Sequence, residues 1–451
     1  MIRIVCFLFV LIPISLNAQE FRKEMQLSLA ECVELAIANN STIVQQKYAV
    51  LLAEGTLGTR RNAFLPSANL SWNPSRSITG PREGSILDQT TGLIVTSLGE
   101  SRVSGSQRVS SSISVPVYDA SLLANLSASK HDLRSAELNL DNSRQTVIFQ
   151  ARQAYFSLLQ AIKLLEVQQE QVRVSEETLR RSEILNEIGS SPIADVLSVR
   201  ATLASARATL IQRENNVEIR RSDLSFALGL GTDVRIVPTE TEFSVGTLSM
   251  NFEEALSRAL EGHPNIVRQK YAMFADRASL SGSERNLRHP TVRLSGNYSW
   301  NLSTDEVFQG VEDLFLKNYS YSVSLNVTLP IFNMQNQNAV KNQKIQYLRT
   351  LEQYDQSRRQ VAQDLQQSFL TLEQLRRSFA AGEAEVEAQE KFFELADESY
   401  KVGAGTFLQR LQAQRDLFNA RNSLVQTIYN YQIEVSRLEQ RLGRSLSQAG
   451  E

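Results

Sequence analysis

The chain has 451 residues and a formal net charge of −2, with 21% of its side chains charged in both signs. That balance supplies no strongly basic surface, so nucleic acid is excluded as a partner. Glycine and proline number only 20 and 10, and long segments without either breaker point to long helices.

Residues 1–18 read as a signal peptide. Arg3 gives the positive start, IVCFLFVLIPISL is an apolar run too short to span a bilayer, and the small Ala18 precedes Gln19. The mature chain is therefore expected outside the cytoplasm. Cys6 leaves with this segment, so Cys32 is alone and no internal disulfide is expected. Cys32 reads as a small apolar residue on a helix. No later apolar stretch is long enough for a membrane helix, but this says nothing of β-barrel strands, which show only alternation.

The rest of the chain is written twice. IVQQKYA at 43–49 returns as IVRQKYA at 266–272, LAECVELAIANN matches FEEALSRALEGH, and VPVYD at 115–119 matches LPIFN at 329–333. From there the halves stay in register, pairing Val147 with Val361, Tyr155 with Phe369, Gly189 with Gly403 and Leu197 with Leu411. The expected organisation is a first repeat over 19–229, a polar connector at 230–249, a second repeat over 250–443 and a tail at 444–451. Each repeat opens with short helices, 28–65 and 251–289, broken at Asn40 or at Gly262-His263-Pro264.

Two strands follow in each repeat, predicted at 66–78 and 107–117, then at 290–302 and 318–331. In NYSYSVSLNVTLPI, Tyr319, Tyr321, Val323, Leu325, Val327, Leu329 and Ile331 alternate with polar residues and Pro330. In TVRLSGNYSWNL, Val292, Leu294, Tyr298, Trp300 and Leu302 share one face. Alternation over about ten residues suits a strand with lipid on one side and water on the other. The chain's two tryptophans, Trp72 and Trp300, lie on these strands, and with Tyr298, Tyr319 and Tyr321 they would form an interface belt. The intervening segments at about 79–106 and 303–318 read as outer loops capping a barrel. Four strands cannot close a membrane barrel, and open edges in lipid leave backbone groups unpaired at several kcal/mol each. Other copies must supply the missing strands, so a homo-oligomer is required.

Each repeat ends in a helical hairpin, 119–229 and 333–443. The first arm runs from about 119 to 187 without glycine or proline, and its counterpart contains only Gly382. At 1.5 Å per residue each arm would reach roughly 100 Å. Ile148, Ala151, Tyr155, Leu159 and Ile162 recur at three and four spacing amid polar residues, which is a coiled-coil stripe. The chain reverses at EIGSSP (187–192) and KVGAGT (401–406), where glycine permits a tight turn. The fold class is mainly α with a β-barrel part. A soluble periplasmic coiled-coil scaffold or adaptor is the alternative, but it has no use for the alternating strands.

No catalytic or metal constellation stands out. His131, His263 and His289 are far apart, no phosphate-cradling glycine loop is present, and the carboxylates are interspersed with Lys and Arg on helix faces. No cofactor, metal or enzymatic activity is expected.

With these parts in this order, the chain resembles the TolC-like outer-membrane factors over nearly all of the mature sequence. The resemblance rests on the paired repeat starts, the VPVY/LPIF strand ends, the glycine turns and the FALG and QRLG closures. It implies a homotrimer with a twelve-stranded barrel in the outer membrane and a twelve-helix periplasmic tunnel. The subunit would be a passive duct that docks with a periplasmic adaptor and an inner-membrane transporter of RND or ABC type. By the same likeness, Gly189, Ser190, Ser191, Val402, Gly403 and Thr406 would meet the adaptor at the hairpin tips. Asp195, Tyr400, Gln409 and Gln412 would line the tunnel constriction. The best-known members carry aspartates where this chain has Gln409 and Gln412, and arginine where it has Gly405. A hydrogen-bonded latch using Gln409, Gln412 and Tyr400 is therefore expected in place of a salt-bridged one.

Overall fold

The computed structural model describes residues 23–87, 90, 92–231, 234–240, 243–246, 250–304 and 315–443. The signal segment, the tail at 444–451 and most of the 303–318 loop lie outside the described residues. In chain order the elements are β1 (Lys23–Leu27), α1 (Leu29–Asn39), α2 (Ser41–Asn62), β2 (Ser67–Thr79), β3 (Glu83–Leu87), β4 (Ile94–Leu98), β5 (Arg102–Tyr118), α3 (Ala120–Glu187) and α4 (Ile193–Ala227). They continue as β6 (Val234–Pro238), α5 (Phe252–Gly262), α6 (Pro264–Asn286), β7 (Thr291–Thr304), β8 (Tyr319–Thr328), α7 (Met334–Lys401) and α8 (Phe407–Leu442). The chain is mainly helical, and α3 and α7 are 68 residues each.

Two compact units divide the chain. One comprises Lys47–Leu140 and Pro264–Arg359 and holds an antiparallel sheet in the order β2-β5-β7-β8. β2 pairs with β5 and β7 with β8, and β5 joins the two pairs by pairing with β7 along most of its length, with a register shift between Pro116 and Tyr118. In this unit His131 packs against the rings of Tyr271 and Phe274, and His289 shares a 3.1 Å hydrogen bond with the Tyr118 hydroxyl. Both histidines have structural surroundings.

The other unit comprises residues 1–46, Asp141–His263 and 360–451. Its apolar seam follows the three and four spacing of α3: Val147, Ala151, Tyr155, Leu158 and Leu159 are all buried, together with Leu365 and Leu372 of α7 and Leu438 of α8. Ser28 caps α1 reciprocally with Glu31, satisfying two of the backbone donors that a helix start leaves free. Cys32 is buried, and burial pushes its thiol up to about 12, so it is an inert core group.

Two segments differ from the sequence expectation. Residues 79–106 do not form a plain loop: β3 and β4 pair antiparallel, with Glu83 opposite Leu98 and Leu87 opposite Ile94. The runs are too short and mixed to show alternation. The 230–249 segment is more than a connector. Its β6 pairs in parallel with β1, from Lys23↔Val234 to Leu27↔Pro238, a partnership some 200 residues apart that no local pattern announces. The segment is then strapped to the long helices. The Tyr155 hydroxyl donates to the Glu240 carbonyl at 3.4 Å, and the Tyr431 hydroxyl donates to the Gly246 carbonyl at 2.7 Å. Phe156 packs edge-on against Phe243 at 5.1 Å.

The end of α4 abuts the start of α2. Asn40 Nδ2 donates to the Ala227 carbonyl at 3.3 Å, and Gly229 follows with φ +70°, where a Cβ would sit 2.7 Å from the Asn39 carbonyl oxygen. Gly229→Ala should therefore lower the thermal midpoint of the solubilised protein, by strain of about 1 kcal/mol or more. Gly55→Ala, in the interior of α2 with open space around its Cα, should leave the midpoint unchanged or raise it. Equal effects of the two changes would contradict this reading of Gly229.

Candidate functional site

The pleat sorts the four-stranded sheet into two chemically different faces, because successive side chains point to opposite sides. Trp72, Val109, Trp300 and Tyr319 fall in one cross-strand row, and Tyr298 with Tyr321, Leu294 with Leu325 and Val292 with Val327 extend that face. The other face is built from serine and asparagine. Ser71 faces Ser110 at 2.7 Å, Ser75 faces Ser106 at 2.8 Å, Ser295 faces Ser324 at 2.9 Å and Ser299 faces Ser320 at 2.9 Å, hydroxyl to hydroxyl. Arg108 Nε donates to Asn301 Oδ1 on the same face at 2.7 Å. Apolar side chains of the first face stand in the open: Tyr321 is 80% exposed and Val323 77%. The outer edges of β2 and β8 have no strand partner among the described residues.

The five aromatics expected in a belt do not behave alike. Trp72, Tyr319 and Tyr321 are exposed. Tyr298 stacks on Phe315 and Tyr319 at 5.8 and 6.4 Å. Trp300 corrects the expectation: it is fully buried, and its indole Nε1 has no hydrogen-bond partner among the described residues. It is a packed anchor of the sheet rather than a belt residue, since a belt needs the ring at an open surface.

The two hairpin reversals share one geometry. Gly189 and Gly403 take φ +74° and +76°. The amides of Ser190 and Ser191 both reach the Leu185 carbonyl, and those of Ala404 and Gly405 both reach the Ser399 carbonyl. This closes the orphan carbonyls of α3 and α7 through a left-handed glycine. Ile188, Ile193, Leu197, Val402 and Leu408 stand exposed around the turns. Gly405 lies close to the end of α7, where a Cβ would be 3.0 Å from the Ser399 Cβ; a bulkier residue there must displace its neighbour.

The residues expected at the constriction lie at the starts of α4 and α8 and at the end of α7. Thr406 and Gln409 form a capping box: Gln409 Oε1 accepts from the Thr406 amide and hydroxyl at 3.3 and 3.2 Å. The amide oxygen of Gln409 is thus engaged at the start of α8. Asp195 occupies the matching place in the first turn of α4, where the helix N-terminus favours a carboxylate. Tyr400 packs against Phe407 at 6.0 Å; burial raises its phenol above the ordinary range, Asp195 raises it further, and Arg410 opposes both. Gln412 is exposed.

Above the turns lies a polar knot that sequence patterning did not single out. Arg410 of α8 is buried, donates to Asp397 of α7 and to Thr178 Oγ1 of α3 at 3.1 Å, and lies over the rings of Phe393 and Tyr400. Asp397 also takes Lys401 at 2.8 Å and Arg181 at 3.5 Å. Gln414 continues the seam by donating to Ser175 at 3.4 Å. The only sequence signal was an arginine at a position where the helical period calls for an apolar residue. Burial pushes the Asp397 carboxyl up, but hydrogen bonds from Lys401 and Arg410 outweigh it, and the group ends below its ordinary range.

A family model described as "Outer membrane efflux protein" matches residues 32–230 and 255–444. The chain belongs to this family. Among curated relatives, the outer membrane efflux protein BepC of Brucella suis is 23% identical across 91% of this chain and 84% of its own length. The outer membrane protein TolC of Vibrio cholerae is 22% identical across 92% of this chain and 90% of its own. Among solved structures, CusC, described in connection with transmembrane channel formation, matches with a TM-score of 0.78 at 18% identity over 93% of each chain. The family and these relatives are channel proteins, not enzymes, and family membership assigns this chain to the outer membrane.

Arg410→Met leaves Asp397 short of its buried partner, and such losses cost about 3 kcal/mol. Amide exchange over 397–414 should accelerate strongly in Arg410→Met and less in the double variant Arg410→Met/Asp397→Leu. Equal acceleration in both would show that the pair is not coupled. Because the folded Asp397 pKa is depressed, its contribution is intact above the ordinary carboxylate range and is lost as pH falls below it. Exchange at the tip should therefore be flat from pH 8 to pH 5 once corrected for intrinsic rates, and should rise only in stronger acid.

Proposed function

We propose that this protein is the channel subunit of a tripartite efflux or type I secretion system, a passive duct through the outer membrane and into the periplasm. The observation that carries this reading is the four-stranded sheet with one exposed apolar face, one serine-lined face and two unpaired edges. In hydrocarbon every backbone group needs a partner, and only closed barrels and helices satisfy that rule. Three copies joined edge to edge give twelve strands, within the range of membrane barrels, with the apolar face toward lipid and the serine face toward the lumen. The repeats, each ending in a long helical hairpin, would likewise assemble into a twelve-helix tunnel.

In this reading the turns at Gly189-Ser190-Ser191 and at Val402, Gly403 and Thr406 meet a periplasmic adaptor. The exposed Ile188, Ile193, Val402 and Leu408 are the apolar contacts that a partner helix would cover. An inner-membrane transporter of RND or ABC type supplies the energy. Asp195, Tyr400 and Gln412 contribute to the narrow point, with Gln409 serving the helix start. The Arg410–Asp397 knot holds each protomer's tip helices together.

The protein should remain with the membrane after osmotic shock, require detergent for release and run as three copies by light scattering. Val323→Arg, on the apolar face, should abolish membrane-inserted trimer at a cost of about 2–4 kcal/mol for a mid-bilayer site. Ser322→Arg, one residue away on the polar face, should assemble. A chain released by osmotic shock, or equal tolerance of both arginines, would contradict the reading.

A further inference from the structure

The strands of the four-stranded sheet carry four arginines, Arg76, Arg102, Arg108 and Arg293, and not one aspartate or glutamate. The pairing register divides them unequally. Arg76 lies opposite Gly105 on the apolar face. Arg102, opposite Thr79, and Arg108, opposite Asn301, belong to the serine face. Arg293 joins them, opposite Asn326 and two residues from Ser295. Everything else on that face is hydroxyl, amide or proline: Ser71, Ser110, Asn297, Ser299, Ser320 and their neighbours in the same rows. Arg102, Arg108 and Arg293 are exposed, and Arg108 is fixed in direction by its 2.7 Å bond to a neutral amide rather than to a carboxylate. No opposite charge within the sheet offsets these guanidiniums, although acidic residues are common elsewhere in the chain.

We infer that the barrel section of this duct is an anion-attracting passage, lined by hydroxyls and guanidiniums, that favours negatively charged or polyhydroxylated solutes over cations. The inference rests on the duct reading above, which makes the serine face the lumen wall. A closed ring of three protomers then places nine guanidiniums on that wall, three from each chain. A water-filled lumen with low-dielectric walls focuses the field of such charges and raises the local concentration of counter-ions. The serine lattice adds donors and acceptors without charge, so it solvates hydroxylated cargo while leaving the sign of the field to the arginines. Asp195 acts at the hairpin turn and does not belong to this sheet, so the two regions can carry opposite preferences.

The test reads the barrel by itself. Ser299 pairs with Ser110, two residues from Arg108, a diagonal of about 7–8 Å. The full-length protein carrying Ser299→Cys is reconstituted in vesicles of neutral lipid at about 0.01 M salt, where the screening length is about 30 Å. The parent protein is the blank, since its Cys32 is buried and its thiol pushed up to about 12. Labelling rates are measured with neutral, anionic sulfonate and cationic trimethylammonium methanethiosulfonates, each normalised to the same reagent's rate with a free thiol. The anionic reagent should gain severalfold over the cationic one. The gain should vanish in Arg102→Ser/Arg108→Ser/Arg293→Ser, persist when the same three positions carry lysine, and collapse at 1 M salt, where screening acts within about 3 Å. If the neutral reagent enters but the charged reagents show the free-thiol ratio, or a cationic preference, the inference is overturned and the duct stands. If the neutral reagent leaves Ser299→Cys untouched while Val323→Cys reacts, the assignment of faces fails, and the duct reading and this inference fail together.

Discussion

Unpaired backbone in a membrane is the constraint on which the rest of this structure depends. The sheet β2-β5-β7-β8 satisfies its interior through β5 and β7 but leaves a row of donors and acceptors along each outer edge. In water such an edge is an aggregation hazard; in lipid each unsatisfied group costs several kcal/mol. The apolar face excludes water as its environment, and the edges exclude lipid unless another copy pairs with them. A closed ring of copies meets both demands.

The same logic of satisfied groups runs through the helical part. α1 and α8 begin with reciprocal caps from Ser28–Glu31 and Thr406–Gln409. α3 and α7 end at glycines of positive φ. Near the turns the apolar seam gives way to Arg410, bonded to Asp397 and Thr178, and to Gln414, bonded to Ser175. A buried polar knot of this kind contributes less net stability than an apolar core of the same volume, but losing any one member is costly because its partner is left buried and unpaired. It therefore suits helices that must keep a defined arrangement near their turns.

Much of this architecture was legible because its signals are periodic. The alternation in NYSYSVSLNVTLPI and the three-and-four stripe from Ile148 to Ile162 mark strand and helix over many residues, although the buried seam is carried by Val147, Ala151, Tyr155, Leu158 and Leu159 while Ile148 and Ile162 are only partly buried. The glycine turns were visible at matching places in the two repeats, Gly189 and Gly403, at the ends of long runs that hold no other breaker than Gly382. What escaped was non-local or structural in origin. The pairing of β1 with β6 joins segments some 200 residues apart, and β3–β4 is too short to show a period. The capping box of Gln409 with Thr406 was likewise not read from the sequence, although the Thr-x-x-Gln spacing carries it. Trp300 shares its face with exposed tyrosines, and only the packed structure reveals that its ring is covered. Arg410 reads as one more arginine on a charged helix until three helices are seen to converge on it.

The central claim is that β2 and β8 find partners in neighbouring copies. Amide hydrogen exchange on the membrane-reconstituted protein, resolved to single residues in the four strands, addresses it most directly. Pairing across copies predicts that the outward-facing amides of β2 and β8 exchange as slowly as those of β5 and β7, and that all four open together. Fast exchange confined to the two outer strands, with β5 and β7 protected, would mean that the sheet stands alone and would contradict the account.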